Sequence, residues 1–145
     1  MDKPFYDFVI LEDAFRYEFT SIGEKEILKV IVYQQTDLPD FFSLTLADVL
    51  PDGSLDVFVE SKNGDMEKNL ATVIQTILAF LSHNPNAKIA FSGSTTHRTR
   101  LYSIILTKEI EKVGHFLTIL GLSDKGLVPF ERNEKYDEFV ILKKK

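Results

Sequence analysis

The chain has 145 residues, 44% of them apolar and 27% charged, with a net charge of −5 and no cysteine. Length and composition suit one globular domain, expected over residues 1–145, and speak against a disordered chain. They exclude disulfides, thiolate catalysis and cysteine-held zinc, and the acidity argues against non-specific nucleic-acid binding over the whole surface.

The start, Met1-Asp2-Lys3-Pro4, lacks a basic region followed by an apolar run, so no signal peptide is expected. No stretch of about 18 apolar residues offers a membrane span. A cytoplasmic address without membrane contact is the expectation. Residues 1–16 show no clean period. Tyr17–Ile22 reads as a strand, Gly23-Glu24 as a turn, and the β-branched run Ile27–Tyr33 as the second strand of a hairpin. Phe41–Val49 alternates in part and predicts a third strand. Pro51-Asp52-Gly53-Ser54 makes a turn, because proline presets φ and glycine permits a positive one. Leu55–Glu60 completes a second hairpin.

Asp65 is expected to cap a helix, with Glu67 in its first turn. Leu70, Val73, Ile74, Ile77, Leu78 and Leu81 then recur at helical spacing. The helix stops near His83-Asn84-Pro85. Thr72, Gln75, Thr76, Ala79 and Ser82 read as an uncharged outer face, either a bland surface or a protein contact. Lys88–Ser92 reads as a buried interior strand broken by Gly93. Thr96–Val113 carries Leu101, Ile104, Ile105 and Val113 at helical spacing and predicts a second helix, with a strand as the alternative. Gly114 suits its end. Phe116–Leu120 and Glu138–Leu142 read as late strands. The fold class expected is α+β: a two-layer, mostly antiparallel sheet of about five to seven strands covered on one face by two helices.

Charge is unevenly distributed. Between Lys68 and Lys108 there is no acid, while Lys68, Lys88, Arg98, Arg100 and Lys108 give that stretch a charge of +5. The remainder carries −10. Within the stretch, Gly93, Ser94 and Thr95 precede a helix start, where backbone N–H groups and the helix dipole favour an anion. His97, Arg98, Arg100 and Tyr102 follow. Arginine forks suit phosphate or carboxylate. These seven residues form the candidate ligand site. Cations at a helix N-terminus oppose its dipole, so either distant acids or a ligand must compensate them. The spacing is neither a P-loop nor a dinucleotide fingerprint.

No nucleophile elbow marks a catalytic serine, and His83, His97 and His115 lack metal-ligand spacing. Asp37, Asp40, Asp48, Asp52 and Asp65 suit turns and caps better than a calcium loop, whose full pattern is missing. No catalytic residue, metal or cofactor is therefore expected. Two function classes lead, with an enzyme as the third. One is a binding module for a phosphate-bearing ligand (a phosphate, nucleotide or nucleic-acid end). The other is a regulatory partner protein acting as a homodimer or with another chain, its arginines structural.

Four blocks resemble a family of small bacterial proteins classed as a domain of unknown function. They are Tyr17–Gly23 running on through Ile27–Tyr33; Leu44–Asp48; Asn63-Gly64-Asp65 with Leu70–Val73; and Gly93-Ser94-Thr95 with Arg98-Thr99-Arg100-Leu101-Tyr102. They span about residues 17–142. The family often has glycine where Glu26 stands and Phe-Gly-Asp where Leu46-Ala47-Asp48 stands. The resemblance implies one domain and brings no activity with it.

Overall fold

Strand alternation and helical periodicity divide the chain into a sheet and a helical layer. The computed structural model describes residues 4–57, 64–92, 96–112, 114, 116–131 and 134–144. Its strands are β1 (Val9–Leu11), β2 (Arg16–Ile22), β3 (Glu26–Gln35), β4 (Phe41–Val49), β5 (Leu55–Asp56), β6 (Lys88–Phe91), β7 (Leu117–Ser123), β8 (Gly126–Pro129) and β9 (Glu138–Lys143). The helices are α1 (Met66–His83) and α2 (Thr96–Lys112). The fold is α+β, as composition and pattern indicate. The sheet is larger than expected, with nine strands among the described residues rather than five to seven.

The strand order is β1-β2-β3-β4-β6-β9-β7-β8, with β5 on the far end of β4. Neighbours are antiparallel except β4 and β6, which α1 joins as a crossover. The β6 strand is interior, as its apolar run predicts. Residues 58–60 of the expected second hairpin lie outside the described residues.

Because strand side chains alternate, every second residue faces the helices. That face presents Tyr17, Ile31, Tyr33, Phe42, Ile89, Phe91, Phe139 and Ile141 to one core, which α1 and α2 close with Leu70, Val73, Ile77, Phe80, Leu106 and Ile110. Phe80 is the aromatic hub. It stacks on Tyr33 at 4.1 Å with 5° between planes and meets Phe15 and Phe42 edge-on. Among the described residues, no helix is long and apolar enough to cross a membrane.

Three expectations are corrected. Thr72 and Thr76 belong to the buried side of α1, not to an outer face. The Thr72 hydroxyl accepts from the Tyr6 backbone N–H at 2.9 Å and donates to Lys68 O, and Thr76 Oγ1 lies 2.9 Å from the Tyr33 hydroxyl. Asp65 stands at the N-cap of α1, but its side chain makes no capping bond. Its carboxylate instead accepts from Tyr6 Oη and Ser21 Oγ, both at 2.5 Å, tying the N-terminal segment and β2 to the head of α1. On α2 the buried positions are Thr99, Ser103, Leu106, Glu109 and Ile110, while Ile104 is 58% exposed. Ile104, one of the residues whose spacing predicts the helix, therefore lies off its inward face. Short hydroxyls that bond their own helix's carbonyls are buried at little cost, so counting apolar residues misjudges the inward face.

Candidate functional site

The second helix begins at Thr96, following the interior strand β6 in the chain. Gly93, Ser94 and Thr95 lie outside the described residues, as does the side chain of His97. Arg98, Arg100 and Tyr102 are described, and they divide between two clefts. Two positions along a helix turn the side chain by roughly 200°, so neighbouring arginines leave on opposite flanks.

Arg100 is exposed and lines two clefts, of about 250 and 480 Å³. Both are also lined by Ser103 and Glu134, so they form one groove between α2 on one side and Phe130, Glu134 and Tyr136 on the other. Lys108, which lies 3.7 Å from Glu67, and Lys135 add cations along the groove, and Glu134 is the acid among its described lining residues. Among the described residues Arg100 makes no ion pair. Ser103 Oγ donates to Arg100 O at 2.7 Å, and Thr107 Oγ1 donates to Ser103 O at 2.6 Å. Their hydrogens are committed, so both hydroxyls present lone pairs.

The opposite wall is aromatic. Tyr136 packs on Gly121 of β7, where a Cβ would overlap its ring. Its hydroxyl accepts the Glu131 backbone N–H at 2.9 Å, and its ring meets Phe130 at 5.3 Å. With Ile104 exposed opposite, the groove joins apolar wall to cationic rim. Sequence reasoning missed Phe130 and Tyr136, which lie between the two expected late strands.

On the other flank, Arg98 and Tyr102 line a smaller cleft with Lys29, Asp48, Asp56 and Asn69. Tyr102 stacks on Phe91 at 5.6 Å with 8° between planes. Residues from all four blocks of the resemblance meet here. Of the acidic loop residues, Asp48 is paired with Lys29 at 2.5 Å. Asp52 accepts from both Ser54 Oγ and Ser54 N, and the hydroxyl bond is the main cause of its lowered pKa. Neither position describes a calcium loop.

These features define an α+β chain with a cationic, partly aromatic groove beside its second helix. The chain belongs to DUF6934, a family of unknown function, whose model matches residues 2–144. No curated protein and no solved structure matches it.

Proposed function

We propose that this chain is a small binding module for a phosphate-bearing ligand, held along the N-terminal half of α2 with Arg100 as its anchoring cation. One observation carries the reading: Arg100 stands exposed in a groove and pairs with no described acid. A guanidinium early in a helix opposes the dipole, and a bound anion relieves that opposition. The groove is of ligand size, since small-molecule sites typically enclose about 300–1,000 Å³. Two of its cations, Arg100 and Lys108, stand in the acid-free stretch of an otherwise acidic chain. Gly93, Ser94 and Thr95 are proposed to add backbone and hydroxyl donors, and His97 to lie beside them. Arg98 belongs to the other flank, so the anion rests on one arginine rather than two. Thermal unfolding with inorganic phosphate, nucleotides and short oligonucleotides, compared between wild type and Arg100→Ala, tests the reading.

A protein-contact reading draws on a different surface from the one the sequence suggested. Thr72 and Thr76 face inward, but the edge strand β1 exposes Val9, Ile10 and Leu11. An unpaired apolar edge is a template for another chain. Light scattering at micromolar concentration that finds only monomer removes the homodimer version.

A further inference from the structure

Along α2, Arg100, Ile104 and Lys108 line the groove at every fourth position. Ile104 is 58% exposed. At 1.5 Å per residue it stands about 6 Å from Arg100 along the helix axis. Half-buried Phe130 lines the same cleft of about 480 Å³. An inorganic phosphate at Arg100 would leave both apolar side chains wet. A ligand that joins an anion to a flat ring covers them, because stacking on such side chains removes apolar surface from water.

The second feature is Glu134. It is exposed, lines both parts of the groove with Arg100, and makes no ion pair among the described residues. A carboxylate in an anion groove repels a bare phosphate. It becomes an attraction when the same ligand also brings N–H donors, since an ionised carboxylate only accepts and takes two parallel N–H bonds at once. Among the nucleobases, guanine sets a ring N–H beside an amino group on one edge. Adenine and cytosine put a ring acceptor beside their amino group, and uracil puts its N–H between two carbonyls.

We infer that the ligand of this groove is a guanine nucleotide, its phosphate on Arg100, its purine ring against Ile104 and Phe130, and its ring N–H and amino group on the Glu134 carboxylate. In a nucleotide one sugar separates phosphate from base, which suits the single helical turn between Arg100 and Ile104. The inference rests on the phosphate reading above and adds the base and the edge that is read.

The test is calorimetric titration of the full chain with guanosine monophosphate, adenosine monophosphate and ribose phosphate. The guanine nucleotide should bind at least about tenfold more tightly than the adenine nucleotide, and ribose phosphate more weakly than either. Glu134→Gln should bring the guanine nucleotide to the level of the adenine one and leave ribose phosphate unchanged. Ile104→Ala should weaken both nucleotides about fivefold and spare ribose phosphate. Both side chains are exposed, so neither change should disturb the fold. Equal binding of the two nucleotides, or a guanine preference that survives Glu134→Gln, would overturn the inference. Ribose phosphate bound as tightly as either nucleotide, and lost in Arg100→Ala, would overturn it while leaving the phosphate site standing. Nucleotide binding that Arg100→Ala does not weaken, or no binding of any of the three, would overturn both.

Discussion

The ring of Tyr136 fills the space that a side chain at Gly121 would need. Glycine at this strand position lets Tyr136 lie against β7, and the Tyr136 hydroxyl then accepts from Glu131 N. One wall of the Arg100 groove thus depends on a missing methyl group.

Gly121→Ala should therefore displace Tyr136 and open the groove. Overpacking of this kind costs about 1–3 kcal/mol. An unfolding free energy in urea lowered by that amount, together with loss of any anion response, is the expected result. A variant of wild-type stability with an intact response would show that the segment adjusts freely.

The buried Lys29–Asp48 pair makes a second prediction. Lys29→Met strands a carboxylate inside and should cost about 3–5 kcal/mol. Adding Asp48→Leu removes the stranded charge and should restore most of the loss, because an apolar replacement for a buried pair is often neutral or better. Chemical denaturation of the four proteins of this cycle measures the coupling. Additive single effects would contradict the pairing.

Tyr17 is fully buried and its hydroxyl has no partner among the described residues. Tyr17→Phe should be neutral or stabilise by about 1 kcal/mol. Burial also pushes the Tyr17 pKa up to about 12. Burial is the largest cause for Tyr33 as well, opposed by its bond to Thr76, and for Tyr6, where the Asp65 bond adds to it. All three retain protons that the unfolded chain releases near its ordinary pKa of 10.0. The contribution is whole below that pH and is lost as pH climbs through the folded values. Urea midpoints should fall from about pH 10 toward 12, less steeply in Tyr17→Phe. Constant midpoints over that range would contradict the assignment.

The central strands and both helices were legible because one period dominates each. Ile27–Tyr33 is β-branched throughout, and Leu70–Leu81 keeps helical spacing over three turns. The first strand was not legible. It enters β2 through Glu12, Asp13 and Ala14, three consecutive non-glycine residues at φ of 50°, 56° and 72°, which have no sequence signature for a left-handed turn. The β8 strand is four residues in a tight hairpin, too short to show alternation. Buried hydroxyls at Thr72, Thr76, Thr99 and Ser103 hid the inward faces of both helices.

The site was half legible. An acid-free stretch marked Arg98 and Arg100, but adjacency in sequence joined two residues that a helix separates. Phe130 and Tyr136, which complete the groove, lie some thirty residues further on and arrive only through folding.

Thermal unfolding of the full chain, wild type and Arg100→Ala, against phosphate, nucleotides and short oligonucleotides tests the central claim most directly. A ligand at about 100 times its Kd adds about 2.7 kcal/mol, which for a domain of this size raises Tm by roughly 5–10 °C. One class of phosphate-bearing ligand should produce that shift in wild type and not in a folded Arg100→Ala variant. An equal shift in both proteins, or no shift from any anion, would contradict a phosphate site at Arg100.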